Sequence, residues 1–600
     1  MGPANASLAR RGVPLLLLAI LASALVGLGR GAHLEPADLV INNGAEIATL
    51  DPATVSGVPE GRVMRALFEG LTVKDPRTLE PLPGVAEGWE VSDDRRTYTF
   101  HLRPEARWNN GDALTAHDFE WSWRRLLDPE TAAEYAYLLW SVRGARQYTS
   151  LSDEDAREAF WARVGIHAAD AHTLVVELAS PVPYFLDLTS FYPTFPVHRP
   201  TLEAARTSHP DTWQAEWIRP ENIVTNGPFQ IVERRVNDRI RLEKNPLYWD
   251  ADEVAKRTID ILAVEHFGTM LNMYLTGGVD WIDKCAPNLI PRLLQREDFR
   301  PAPYLGSYFY RFNVHRPPFD DVRVRRALAL AVDRLAICEK ITKKGETPLW
   351  SLCPPGMAGY EPPEMEHAPL LPDLSNRDVA FAEDCRKART LLAEAGYGPE
   401  GAPFPTIQIH YNTAETHRDL AEVVADGWKR NLGIDARLQN QEWKVYLETQ
   451  KRIDYGVSRS SWIGDYPDPN TFIELFVADG RNNRTGWSDP RYDALVAEAA
   501  SEPDPARRLR LLARAEAILL DQLPILPLYG YVSQNLVNPR LGGFHANIQD
   551  EHSPKFWYWM DDAELAAKRA AYTSDWELVR PGGPPAGLYS PAEGRRRAAR

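Results

Sequence analysis

The stretch that decides the fold is Thr406-Ile-Gln-Ile-His-Tyr411, followed by a helical run from His417 to Asn431, then Gly433 and Ile434-Asp-Ala-Arg-Leu438. The first and last pieces read as strands. The middle piece reads as a helix stopped by Gly433, since glycine accepts the left-handed backbone of a helix end. Strand, helix and strand in succession form a crossover unit, and this predicts α/β lobes with largely parallel sheets.

Downstream, Asp454 to Ser458 reads as another strand, and Arg459-Ser460-Ser461-Trp462-Ile-Gly-Asp465-Tyr466-Pro-Asp-Pro469 follows directly. Seven residues here carry a permanent cation, a large aromatic plate and a carboxylate. A carboxylate takes up an ammonium through a charge-assisted hydrogen bond, and a guanidinium grips a carboxylate, often with two parallel bonds. Fully extended, Arg459 and Asp465 stand roughly 20 Å apart at ~3.3 Å per residue. A turn built on Gly464, Pro467 and Pro469 shortens that to the span of a short peptide. The same residues also fit a plain strand end and turn with surface charges, and local chemistry leaves both readings open.

Further out the alternation continues. Thr97-Tyr-Thr-Phe-His-Leu-Arg103 places Tyr98, Phe100 and Leu102 at the period of a half-buried strand. Thr115 with Asp118 three residues on opens a helix through Arg125. Strands are predicted at Thr173 to Leu178 and Thr258 to Glu265, and helices at Val322 to Ile341, Arg386 to Ala395 and Ala506 to Asp521. In the helix from Val322, residues Val324, Ala327, Leu328, Ala331 and Leu335 form one apolar stripe. The proline-rich stretch Thr347 to Asn376 and the tail from Arg580 are expected to be loosely ordered.

With 600 residues the chain exceeds what one hydrophobic core serves, so two or more domains are expected. The net charge of −15 argues against nucleic acid as a partner. Arg10-Arg11 precede an apolar run from Val13 to Leu28, which reads as an export signal and falls below the ~20 residues that span a bilayer comfortably. Ala22-Ser23-Ala24 offers a cleavage triplet, and retention of residues 13–28 as an anchor is the alternative. The four cysteines, Cys285, Cys338, Cys353 and Cys385, lack metal or redox spacing, and Cys353 with Cys385 is the expected disulfide because both flank the proline-rich stretch. Phosphate-binding glycine loops, metal spacings and a nucleophile elbow are absent from the sequence, so neither a cofactor nor a metal is expected.

Several segments, collinear from about Asp38 to Met560, together resemble the oligopeptide-binding proteins of ABC importers, solute-binding family 5. They are Ala48-Thr-Leu-Asp-Pro52, Gly57-Val58-Pro59-Glu60, Leu67-Phe-Glu-Gly-Leu71, Asn226-Gly-Pro-Phe229, Val236-Asn-Asp-Arg-Ile240 and Lys244-Asn-Pro-Leu-Tyr-Trp249, then Asn313-Val-His-Arg-Pro-Pro-Phe319 leading into Arg323-Val-Arg-Arg-Ala-Leu328, Asn440-Gln-Glu-Trp443, and Trp462-Ile-Gly-Asp-Tyr466. The resemblance implies a two-lobed periplasmic binding protein fold that closes about a hinge, with an extra domain on the first lobe. Its expected boundaries are 34–68, 195–305 and 530–560 for the first lobe, 69–194 for the extra domain and 306–529 for the second lobe. Residues 1–33 would be the signal or anchor and 561–600 a C-terminal extension.

By the same resemblance, Asp465 matches the residue that binds a peptide α-ammonium. Arg459 and His417 match positions that neutralise the α-carboxylate, depending on peptide length. Trp443 packs beside the ligand, Val58 and Tyr135 lie near its backbone, and Ser460, Ser461, Trp462 and Tyr466 run alongside. The implied protein is a periplasmic monomer, not an enzyme, that delivers short peptides to an ABC permease.

Relatives of that architecture also take dipeptides, nickel complexes, haem or oligosaccharides. Asp465 favours an amine-bearing ligand, and Arg459 with His417 favours peptides over sugars. A secreted glycoside hydrolase, which the 18 tryptophans invite, needs two carboxylates about 5–10 Å apart, and no such pair stands out. A membrane-anchored sensor is a third reading if residues 13–28 are retained.

Overall fold

Five strands frame the region of interest: β1 (Phe299–Phe312), β2 (Ile407–Asn412), β3 (Ala436–Gln441), β4 (Val457–Ile463) and β5 (Ile525–Val537). The computed structural model describes residues 35–575 apart from 56, 364–376, 399–400, 479 and 481. The predicted export run at 13–28, the end of the proline-rich stretch and the tail beyond 575 lie outside the described residues.

An 11-stranded sheet runs in the order β3, β2, β4, β1, β5, Trp281–Ile282, Leu39–Asn42, Thr258–Leu262, Arg239–Lys244, Phe229–Arg235, with Thr347–Pro348 on the side of β5. Its pairings are mixed, which corrects the expectation of largely parallel sheets. β2 runs parallel to β3 and β4, and Leu39–Asn42 runs parallel to both of its neighbours. By contrast, β1 is antiparallel to β4 and β5, and the edge from residue 229 to 262 is an antiparallel meander. The reason is connectivity. Crossover helices make their own neighbours parallel, whereas β1 meets β5 more than two hundred residues later, and no local pattern records that pairing.

β1 and β5 are the long strands that join the two halves of the sheet. Phe299 to Pro303 pair with Leu536 to Val532, the register shifts between Pro303 and Ser307, Ser307 and Tyr308 pair with Gly530 and Tyr529, and after a second shift Phe309 to Arg311 pair with Pro527 to Ile525. A Cβ at Gly306, inside that irregularity, would stand 2.4 Å from the Ile463 Cδ1 atom and 3.1 Å from the Trp462 carbonyl oxygen, so a larger residue there would require the Ile463 side chain to move. Separate cores flank the long strands. One gathers Tyr308, Tyr310, Leu328, Val424 and Trp428, another Phe309, Phe472, Tyr492 and Leu512, and a third fills the half that begins at Leu39.

A distinct four-stranded antiparallel sheet comprises Ala86–Val91, Thr97–Leu102, Thr173–Glu177 and Ile166–Asp170 in that order. Tyr98, Phe100 and Leu102 point inward as their spacing predicts, and the Asp118 carboxylate accepts from the Thr115 backbone N–H at 2.8 Å to cap helix Ala116–Leu127.

Two local expectations are corrected. The helix predicted from Val322 to Ile341 is broken into Val322–Leu330, Arg334–Ala336 and a wide-turned segment Ile337–Thr342. Asp333 interrupts it by accepting from the Ala336 N–H at 2.8 Å, the behaviour of an N-cap placed mid-helix. The apolar stripe nevertheless stays buried. Cys353 and Cys385 do not pair: all four cysteines are free and buried. Cys353 is locked into the core around Phe309 and Phe472, while Cys385 sits on helix Arg377–Glu394.

Candidate functional site

Three neighbouring parallel strands point the same way and deliver residues that the chain scatters over fifty positions. β2 ends at Asn412 and leads into α1 (Glu415–Leu432), which carries His417. β3, with Gln441 opposite Asn412, ends just before Trp443, the first residue of helix Trp443–Lys451. β4 ends at Ile463, two residues before Asp465. The carboxyl ends of parallel strands are where α/β sheets present ligand-binding loops. The Trp443 side chain lies outside the described residues.

Asp465 is fixed through its backbone. Its N–H donates to the Thr471 Oγ1 at 3.2 Å, and its carbonyl accepts from the Gln549 Nε2 at 3.4 Å. The Tyr137 hydroxyl, contributed by the region of the separate small sheet, donates to the Asp465 Oδ2 at 3.1 Å. Burial pushes the Asp465 carboxyl up to about 6, and the Tyr137 bond opposes that rise; no basic side chain contributes. Tyr135, the residue expected to lie beside a ligand, packs edge-on against Phe191 at 5.3 Å and feels the Asp465 charge. Tyr466 stacks on Tyr184 with ring centroids 3.8 Å apart and planes at 11°, and its hydroxyl donates to the Glu474 Oε1 at 3.2 Å. Glu474 keeps surface exposure, yet the surrounding protein strips water from its carboxyl and, with the Asp465 charge, pushes it up to about 7.

Arg459 lies within β4, one residue beyond the strand expected to end at Ser458, directly opposite Tyr310. It is 8% exposed. Its Nη1 donates to the Asn412 Oδ1 at 3.2 Å, its Nη2 to the Ser461 Oγ at 3.0 Å, and its guanidinium stands 4.9 Å over the Tyr308 ring. Among the described residues no carboxylate pairs with it, and its Nε has no acceptor. The His417 Nδ1 lies 3.2 Å from the Tyr308 hydroxyl. Burial, reinforced by the charges of Arg459 and Lys344, pushes His417 down to about 3, so it is neutral. A buried cation held only by neutral acceptors is set up to receive an anion.

The pleat of β4 divides the remaining residues. Ser461 shares a face with Arg459. Ser460 and Trp462 project to the other side, where Ser460 accepts from the Arg311 Nε at 3.0 Å and Trp462 donates to the Thr471 Oγ1 at 3.3 Å against the Phe309 core. Val58 opens helix Val58–Leu67 and is 53% exposed, without taking part in these contacts. Sequence reasoning missed Tyr137, Tyr184, Tyr308, Asn412 and Glu474. Tyr137 lay within reach, because two tyrosines two positions apart present the same signal, and Glu474 lies only eight positions from its partner Tyr466, whereas Tyr184, Tyr308 and Asn412 depend on pairings distant in sequence. Among the described residues no three His, Cys, Asp or Glu side chains gather as a metal site, and no helix is long and apolar enough to cross a membrane.

The fold and this arrangement define a two-lobed α/β solute-binding protein. The family model for bacterial extracellular solute-binding proteins, family 5, matches residues 80–484. The chain is 37% identical over 545 residues to the periplasmic oligopeptide-binding protein OppA of Salmonella typhimurium, covering 90% of this chain and 95% of that one. It is 36% identical over 520 residues to the periplasmic murein peptide-binding protein MppA of Escherichia coli, covering 86% and 92%. Among solved structures, the unliganded open form of MppA superposes with a TM-score of 0.74 at 34% identity, covering 88% of this chain and 99% of that one. Haemophilus influenzae OppA in complex with the peptide RPPGFSPFR gives 0.68 at 34%, covering 88% and 100%. The chain belongs to family 5 of the bacterial extracellular solute-binding proteins, and it is a transport binding protein rather than an enzyme.

Proposed function

We propose that this protein captures short peptides in the periplasm and hands them to an ABC-type permease. One observation carries the reading: two unneutralised charges of opposite sign, Asp465 and Arg459, are gathered near the carboxyl ends of the same parallel strands. Asp465 takes the peptide α-ammonium, with Tyr137 holding the carboxylate in place. Arg459 takes the α-carboxylate of a ligand short enough to reach it, and His417, as a neutral ring, serves that end by hydrogen bonding rather than by charge. Val58, Tyr135, Trp443, Tyr466 and Ser461 line the path between, while Ser460 and Trp462 support it from the far face of β4. The names of the relatives, oligopeptide- and murein peptide-binding proteins, support the same ligand class.

The lobes are assigned as 34–68, 195–305 and 530–560 against 306–529, with 69–194 as the extra domain, because β1 and β5 change register near that junction. Closure about those strands engages the ligand from both sides and shifts an open–closed equilibrium. The protein acts as a monomer, without nucleic acid, and residues 1–33 direct its export or anchor it.

Calorimetry with Ala-Ala-Ala and its N-acetylated form tests the assignment. Acetylation is expected to weaken binding about 100-fold or more, since a buried carboxylate loses its cation. Equal affinity for the two forms would overturn it.

A further inference from the structure

Asp465 is not the only acid at its end of the site. Glu474 lies nine positions on, within charge–charge reach of Asp465, and it also acts on Tyr137 and Tyr184. The Tyr466 hydroxyl donates to its Oε1 at 3.2 Å and the Asn470 Nδ2 to its Oε2 at 3.0 Å, so the carboxylate is held in place with lone pairs to spare. Glu474 is exposed to solvent and forms no ion pair among the described residues. The neighbouring Asp468, by contrast, is matched by Arg508 at 2.6 and 2.9 Å.

The walls are aromatic. Tyr137, 39% exposed, stands 6.0 Å from Tyr135 and bonds Asp465, and the stacked pair Tyr184 and Tyr466 lies beside Glu474 through the Tyr466 hydroxyl. Ring faces attract cations, and two carboxylates with no basic partner create a field that one α-ammonium neutralises only by half.

From this we infer that the site selects peptides whose first residue carries a second positive charge, a lysine- or arginine-type side chain, with Glu474 as the residue that reads it. The inference rests on the assignment of the peptide amino terminus to Asp465. The α-ammonium satisfies Asp465, and the first side chain runs along the tyrosine wall to Glu474. A neutral first residue leaves Glu474 to water. An acidic one meets like charge.

The test compares Lys-Ala-Ala, Ala-Ala-Ala and Glu-Ala-Ala by calorimetry at pH 8 in low salt, on the whole protein and on Glu474→Gln. Wild type is expected to bind Lys-Ala-Ala at least about fivefold tighter than Ala-Ala-Ala, with Glu-Ala-Ala weakest. In Glu474→Gln the ratio of the first two should fall to about one. Equal affinities in wild type, or a lysine preference that survives in Glu474→Gln, would overturn the inference while leaving the amino-terminus assignment standing. Failure of all three peptides to bind wild type would remove that assignment and the inference with it. Equal affinities in wild type overturn the inference whether or not the variant folds, and Glu474→Asp, which keeps the charge and draws it back, should lower the lysine ratio without abolishing it.

Discussion

The two ends of the proposed site meet opposite electrostatic problems. At one end a carboxylate stands against tyrosines with no cation nearby, and it can relieve the strain of burial by taking a proton, which is why Asp465 sits at about 6. At the other end the Arg459 guanidinium has no such escape, because it stays charged at any physiological pH. The protein therefore supplies neutral acceptors, Asn412 and Ser461, and the face of Tyr308. The ionisable neighbour yields instead, with His417 held neutral beside the cation. The acid end is tunable by pH, and the base end is fixed by its surroundings.

The largest expected effect breaks the acid end. Asp465→Ala should cost roughly 3–5 kcal/mol of tripeptide affinity, because a buried ammonium loses its partner. Calorimetric binding of Ala-Ala-Ala at undiminished strength would remove Asp465 from the site. At the base end, Arg459→Met should cost about 2–3 kcal/mol. That loss is expected for tripeptides and not for longer peptides, whose carboxylates lie elsewhere, and a length series by calorimetry would expose a uniform loss. The smallest effect concerns pH. The ammonium selects ionised Asp465, so affinity should hold above about 7 and fall as pH drops through 6, by at most tenfold per unit. Stability of the empty protein runs the other way. A carboxyl raised above its unfolded value favours the native state at low pH, and that advantage is lost as pH rises through about 6. A flat affinity profile from pH 8 to 5 would erase the asymmetry between the ends.

How much of this could be read from the chain depended on the range of the interaction. Helix α1 was expected over 417–431 and spans Glu415–Leu432, because its apolar period and Gly433 cap are local signals. The inward residues of Thr97–Leu102 were legible for the same reason. Asp465 and Arg459 stood out as chemistry in a short segment, and the sheet then explained why His417 and Asn412 join them. What stayed hidden was set by distant pairing: the antiparallel partnership of β1 with β5, the gift of Tyr137 to Asp465 from 328 positions away, and the burial that neutralises His417. The break at Asp333 leaves no mark in the apolar period, because the buried stripe continues across it, and only the capping chemistry of Asp333 signals it.

The two long strands have a mechanical consequence. β1 and β5 pass from one half of the sheet to the other, and their ladder already changes register twice, at Pro303 to Ser307 and again between Tyr308 and Phe309. Rotation of the halves can then be absorbed by added twist at a place where regular pairing is suspended, with the ladder on either side left whole. On the proposed lobe assignment, such a rotation would leave the backbone ladder largely intact and would have to part the side chains that meet between the lobes, the Tyr137–Asp465 bond and the Tyr184–Tyr466 stack among them. On that reading, the lifetime of a bound peptide would be set by the side chains proposed to recognise it, rather than by the stiffness of the frame that carries them.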